Sequence, residues 1–488
     1  MAGIKSLAKD TAIYGMSSIV GRFLNWCLVP LYTFTFPEAE YGVVTYVYSI
    51  VALALIILTY GMETGFFRFA NHDEYDDPME VYSTTLISLA LSSTLFLALL
   101  FCFLTPISKA LECGDHPEYI AMMGVAVAID AFSAIPFSYL RYRHRAMRFA
   151  VIKIINIAIT IGLNIFWILI CPILWENHAD LISWCYIPGF GIGYIFLANV
   201  ISSVIMMFLL LPELRGFKWK FNAYLWRRML RYSWPLLVLG IAGIMNQTID
   251  KILFPLLYPD QATAMSELGI YGANYKIAIV MVMFIQAYRF AYEPFIFARS
   301  KERGEDKLQA YRDAMLWFVF FSMIIFLSVM YYLDILRYFI SPDYFSGLKV
   351  VPIIMVAEFF FGIFFNLSLW YKLTDHTIWG MWFSLLGLVI VIILNVVLVP
   401  VMGYMGCAWA SVACYGVMML ASYFVGRIKY PIGYPVARIT LIFVAGMAFY
   451  GLSQWLTFDS EALKYIVRSV LLIAFSLIFL PVKLRRLF

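Results

Sequence analysis

Charge is what this sequence has least of. Only 13% of its 488 residues are Asp, Glu, Lys or Arg, against 63% hydrophobic, and the mean hydropathy is +0.84. Soluble chains carry about 25% charged residues, so a water-soluble protein is excluded. Long polar connections are also missing. The longest, near 63–80 and 213–233, run about 20 residues, too short for a separate catalytic module. The five histidines, His72, His116, His144, His178 and His376, are dispersed without HExxH spacing, and there is no Walker sequence. Metal-dependent hydrolysis and direct ATP hydrolysis therefore lack their usual basis, and no metal site is expected. The glycines of Pro188–Tyr194, PGFGIGY, do not make a dinucleotide fingerprint and read as the packed start of a helix. Seven cysteines include no CxxC pair. Most read as small buried apolar residues, with a Cys171–Cys185 disulfide left open. Met1–Asp10 lacks the compact apolar stretch and small-residue cleavage site of a secretory signal, so the first span is expected to be retained.

What is present is a series of long, continuously apolar runs. A membrane core about 30 Å thick takes about 20 such residues per helix, and the alternation expected of barrel strands is missing. The hydropathy predicts an all-α polytopic membrane protein with fourteen spans, at 11–34, 41–62, 81–104, 118–139, 149–171, 187–212, 234–258, 268–292, 313–333, 350–371, 377–400, 403–426, 437–455 and 464–482. Basic residues collect in alternate connections: Arg141 to Arg148, Arg215 to Arg231, Arg299 to Arg312, and the tail Lys483, Arg485 and Arg486. The opposite set holds only Lys109, Arg337, Lys349 and Lys464. Both termini are therefore expected in the cytoplasm. The net charge of +5 is mainly a topology signal and not one of nucleic-acid binding.

The chain also repeats. Gly15–Gly42 aligns with Gly243–Gly272, placing Arg22 against Lys251, and Asp130 aligns with Glu358 at nearly the same offset of 228 to 230 residues. These offsets predict two parallel six-helix lobes, 1–232 and 233–430, followed by an extra helix pair in 431–488. Substrate would lie between the lobes.

Ten polar or ionisable residues interrupt the apolar spans: Arg22, Asn25, Asp130, Asn246, Asp250, Lys251, Lys276, Arg289, Glu293 and Glu358. A charge at bilayer depth costs roughly 2.5 kcal/mol or more, which points to a polar cavity or to buried pairs. On a helix, Gly15, Ser18, Arg22 and Asn25 fall within a sector of about 80°, and Gly243, Asn246, Gln247 and Asp250 within about 100°. Arg22, Asn25, Asn246, Lys251 and Lys276 are the candidate substrate-binding groups. Asp130, Asp250 and Glu358 are candidates for ion coupling or counter-charge, and Arg289 and Glu293 for a cytoplasmic gate. The bland alternatives are that either lysine neutralises Asp250, Asp130 or Glu358, and that Arg289 and Glu293 form an i,i+4 pair. Glu63 and Arg68 read as markers of the water interface. A pyrophosphate suits such cations, since Arg gives bidentate hydrogen bonds and Lys a compact charge. Each contact at 4 Å contributes about 4 kcal/mol at an effective dielectric near 20.

The opening YGMSSIVGRFLNWCLVPLYTF, the turn PEAEYG and the later IDKIL to ELGIYGANYKIA unit resemble the polysaccharide biosynthesis proteins. These form the flippase and polysaccharide-transporter branch of the multidrug/oligosaccharidyl-lipid/polysaccharide superfamily. The resemblance implies two six-helix lobes in a V-shaped, MATE-like fold in the bacterial inner membrane. It further implies alternating-access translocation of an undecaprenyl-pyrophosphate-linked oligosaccharide for O-antigen, capsule or exopolysaccharide assembly, beside membrane lipids, a polysaccharide polymerase and glycosyltransferases. Cationic residues in the first, seventh and eighth helices of similar flippases correspond here to Arg22, Lys251 and Lys276. No cofactor is implied beyond proton or Na+ coupling. The competing readings are a peptidoglycan-precursor flippase, a MATE-type drug or cation exporter, and a membrane polymerase or ligase. The sugars, the coupling ion and the oligomeric state are not encoded legibly.

Overall fold

Backbone placed in hydrocarbon must satisfy its own N–H and C=O groups, and for unbroken apolar runs the helix is the local solution. The computed structural model shows only helices and turns among the described residues. These are residues 2–71, 77–299, 305–374, 376–456 and 460–480, of which the side chains of 2–12, 18, 293–299, 305 and 306 are left undescribed. Thirteen helical segments among them are long and apolar enough to cross a membrane. The remaining expected span, 11–34, falls on α1 (Ala2–Trp26) and α2 (Leu28–Thr35). The protein is a multi-pass membrane protein.

The chain divides into two compact units, Met1–Gly269 and Ile270–Phe488. In the first, α3 (Glu38–Thr59), α4 (Met62–Ala70), α5 (Pro78–Cys102), α6 (Leu104–Ala110), α7 (Pro117–Tyr142), α8 (Ala146–Asn164), α9 (Cys171–Ile182), α10 (Gly193–Leu210) and α11 (Ala223–Leu257) follow in order. Helix α7 packs against α5 and α10, α8 packs on α10, and α11 lies along α3. Polar side chains tie these helices where lipid offers no alternative partner: Asn156 donates to the Ser202 carbonyl at 3.0 Å, and Asn199 to Tyr48 at 2.6 Å. Helix α12 (Ala264–Arg299) begins in this unit. There a Cβ on Gly42 would strike the Met265 carbonyl and one on Gly269 the Glu38 carbonyl, so both positions must be glycine for the backbones to meet.

The second unit continues α12 and adds α13 (Glu305–Tyr331), α14 (Leu333–Leu336), α15 (Val351–Leu367), α16 (Leu369–Leu373), α17 (Ile378–Met402), α18 (Tyr404–Lys429), α19 (Val436–Trp455) and α20 (Glu461–Phe479). Its packing relations echo those of the first unit: α13 on α15, α15 on α18, and α17 on α18. The last two helices, α19 and α20, both pack on α13.

Several boundaries differ from the sequence expectation, and two show why. The fifth span does not stop at Cys171. A π-helical turn, Ile165–Ile170, leads into α9 with Pro172 in its first turn, where the missing N–H costs nothing. The seventh helix starts eleven residues before 234. Asn222 caps it by accepting the Leu225 N–H at 3.0 Å, and Pro235 lies inside the helix. In the PGFGIGY segment Gly189 and Gly191 take positive φ, and Gly193 opens α10 as expected. Cys171 and Cys185 remain free thiols, with Cys171 buried in the cluster around Trp167 and Tyr194.

A polar clamp fastens α20 to the end of α13. Asp334 accepts from Lys464 at 2.7 Å and from Arg468 at 2.8 Å, and buried Arg468 also donates to the Tyr331 carbonyl at 2.8 Å. Burial of the Asp334 carboxyl opposes its ionisation, but the hydrogen bonds from Lys464 and Arg468 outweigh this and hold it below the usual aspartate range. A depressed folded-state pKa adds stability above the ordinary value of about 3.9 that is lost as pH falls through the folded one. Asp334→Asn is therefore expected to cost about 1–3 kcal/mol near neutral pH. It should also flatten the acid limb of the stability curve, as thermal unfolding in detergent at pH 3 to 7 would show. An unchanged acid limb would show that the clamp does not carry the dependence.

Candidate functional site

Helix α1 packs on α8 through Gly21, whose Cβ position lies 2.7 Å from Ile157 Cδ1. This turns Arg22 and Asn25 outward, and both are exposed. One turn lower, Gly15 and Ser17 are buried, with Ser17 donating to the Tyr14 carbonyl at 3.0 Å. The expected wet face is thus dry at its Gly15 end and open at Arg22. Ser18, which was to complete it, lies outside the described side chains.

On α11, Asn246, Asp250 and Lys251 are buried, while Gln247 is exposed. Adjacent positions on a helix do not normally face each other. The long lysine stem overcomes this by folding back: Lys251 Nζ donates to both Asp250 oxygens, at 3.1 and 2.9 Å, and to the Gln247 carbonyl one turn earlier at 3.1 Å. Of the counter-charges the sequence left open for this lysine, the structure selects Asp250.

The acidic candidates are each held by a hydroxyl from a neighbouring helix. Asp130 on α7 accepts from Ser203 of α10 at 2.8 Å, and buried Glu358 on α15 accepts from Tyr275 of α12 at 2.8 Å. Beside Asp130 is a cation that sequence reasoning missed. Lys153 on α8 places Nζ 4.1 Å over the Phe137 ring and interacts electrostatically with Asp130, Glu63 and Arg141. Its signal was available, since it stands inside the fifth predicted span, but it follows the basic run Arg141–Arg148 and reads as part of it. Glu63 and Arg68 do more than mark an interface. Glu63 pairs with Arg141 at 3.1 Å, and Arg68 lies 4.2 Å over the Tyr232 ring.

In the second unit Lys276 is half-buried on α12, next to Tyr275. Farther along, Arg289 sits 4.7 Å over the Phe365 ring, and Lys372 approaches the same ring to 4.5 Å. Both cations thus meet one aromatic face. The Glu293 side chain, the other candidate for the cytoplasmic gate, lies outside the described residues.

Residues 7–299 match the polysaccharide biosynthesis protein family. The chain belongs to that family. A search of curated proteins finds no match. Among solved structures, a lipid II flippase MurJ in an inward closed conformation is 14% identical, with a TM-score of 0.74 over 97% of this chain and 99% of that one. An inward-facing multidrug resistance MATE family transporter of the MOP superfamily is 13% identical, with a TM-score of 0.65 over 86% and 94%. An outward-facing conformation of such a transporter gives 14% and 0.60 over 87% and 94%. The fold of this polysaccharide biosynthesis family member is that of MurJ and the MATE transporters.

For this family member the Asp250–Lys251 pair makes a direct prediction. Breaking a buried pair on one side costs about 3–5 kcal/mol. Asp250→Asn or Lys251→Met alone should lower the yield of monodisperse protein and its unfolding temperature, and the double variant should recover most of both. Single variants as stable as the parent would show that the pair bears no structural load.

Proposed function

We propose that the protein is a flippase that carries an undecaprenyl-pyrophosphate-linked oligosaccharide across the bacterial cytoplasmic membrane for O-antigen, capsule or exopolysaccharide assembly. The observation that carries this reading is membership of the polysaccharide biosynthesis family in a chain whose fold matches a lipid II flippase along nearly its whole length. Exposed Arg22 and Asn25 at bilayer depth supply the chemistry, because a guanidinium offers a pyrophosphate two parallel charge-assisted hydrogen bonds. Asn246, Lys251 and Lys276 are the further binding groups. Lys251 acts from its pair with Asp250, so a bound pyrophosphate competes with that carboxylate for the ammonium. Transport proceeds by alternating access, and substrate drives it only through different affinity for the two states. Both termini lie in the cytoplasm, and glycosyltransferases supply the substrate while a polymerase consumes it. The likeness to the lipid II flippase favours one second reading, delivery of a peptidoglycan precursor. The two differ in sugar, not in the pyrophosphate chemistry.

Arg22→Ala is expected to abolish surface glycan while leaving membrane insertion intact, as glycan display and membrane abundance measured on the same cells would show. Normal display from a well-expressed variant would remove Arg22 from the mechanism. Asp130 and Glu358 are the proposed proton or Na+ groups, accepting from the Ser203 and Tyr275 hydroxyls. Asp130→Asn and Glu358→Gln should change how transport responds to collapse of the proton or sodium gradient. Unchanged dependence would leave both as structural counter-charges.

A further inference from the structure

Lys153 is a half-buried ammonium one turn inside the fifth expected span, and it makes no hydrogen bond or direct ion pair among the described residues. A charge at that depth normally has such a partner. Its Nζ rests instead 4.1 Å over the Phe137 ring. An aromatic face holds an ammonium weakly, so the carboxylates whose field reaches it decide where it is drawn.

Two carboxylates act on Lys153, Asp130 and Glu63. Glu63 already has a cation, Arg141 at 3.1 Å. Asp130 is half-buried and accepts from the neutral Ser203 hydroxyl at 2.8 Å, and among the described residues Lys153 is the one cation that acts on it. Each is therefore the other's counter-charge, held apart without a hydrogen bond between them.

Register places them. Asp130 and Phe137 stand seven residues apart, on one face of α7 and about 10 Å apart along its axis. Asn156, one turn beyond Lys153 on α8, donates to the Ser202 carbonyl, and the next residue of α10, Ser203, donates to Asp130. Asp130 and Lys153 thus belong to one polar patch between α7, α8 and α10. The other helices packed there bring Glu63 from α4, the apolar Val51, Leu55 and Phe96 from α3 and α5 against Val127 and Ala131, and Tyr14 from α1 against Phe149. Because α7 ends at the basic connection of Arg141 to Arg148, Phe137 and the ammonium above it stand between Asp130 and that end. A metal cation arriving from there meets a fixed positive charge before it meets the carboxylate.

We propose, resting on the reading of Asp130 as a coupling group, that Lys153 is a tethered cation for Asp130, filling the role a bound Na+ would have, so that the ion this carboxylate exchanges is the proton. When Asp130 is ionised, its field draws the ammonium away from the ring. When a proton from water neutralises it, the attraction is lost and the ammonium returns to Phe137. The flexible four-carbon stem permits that exchange.

The test is Na+ binding by the purified full chain. Unfolding temperature is measured in detergent from about 1 to about 100 mM NaCl, with choline chloride keeping the ionic strength constant. The parent and Lys153→Arg should show no rise, whereas Lys153→Met should rise by about 2 °C or more and lose that rise when Asp130→Asn is added. Lys153→Gln, which keeps a polar tip, should bind radioactive Na+ at least about tenfold more tightly than Lys153→Arg. Without any Lys153 variant, the infrared difference between the parent and Asp130→Asn should contain a carboxyl band that changes with pH and ignores Na+. A Na+-dependent rise in the parent that Asp130→Asn abolishes, a carboxyl band that responds to Na+, or neutral Lys153 variants no more sensitive to Na+ than the parent would each overturn the proposal. Because no substrate is moved, failure here speaks to Lys153 and leaves the transport reading standing.

Discussion

The cost of holding charge in an apolar surrounding governs this structure. Bilayer-depth charge is affordable only against a partner, a hydroxyl dipole, an aromatic face or water. Several charged residues described inside the spans meet one of these conditions. Lys251 folds back on Asp250, Asp130 and Glu358 accept from Ser203 and Tyr275, Lys153 and Arg289 lie over aromatic rings, and Arg468 reaches Asp334. Arg22 is exposed.

Packing follows the same economy. Lipid gives helices no hydrophobic reason to associate, so close approach and interhelical hydrogen bonds must do it. Gly42 and Gly269 let two backbones meet, and Gly21 brings α1 onto α8. Asn156 and Asn199 supply directional contacts between α8, α10 and α3. Both units use the same three helix pairings, and the second adds α19 and α20 against α13.

The helices were legible because their signal is length and hydropathy, neither of which depends on tertiary context. Boundaries were lost where a helix runs on beyond its apolar stretch. Pro172 sits harmlessly in a first turn, and Pro235 lies within α11, whose real start was written in the Asn222 cap. The polar candidates were legible as a set because charge in an apolar run is rare. Their partners were not, because a lysine stem can reach several carboxylates and only packing decides between them. Lys153 escaped notice beside a basic loop, and Arg468 because its counter-charge, Asp334, is distant in sequence.

The central claim is that fixed positive groups in the spans recognise a pyrophosphate. It is tested most directly by reconstituting the full chain in vesicles with two fluorescent glycolipids that share sugar and polyprenyl tail, one with the pyrophosphate link and one with a neutral ether. Protein-dependent movement between leaflets, read by the fraction quenched from outside, should occur for the pyrophosphate lipid and fall to background for the neutral one. Equal movement of both, or none of the pyrophosphate lipid under any imposed ion gradient, would contradict the account.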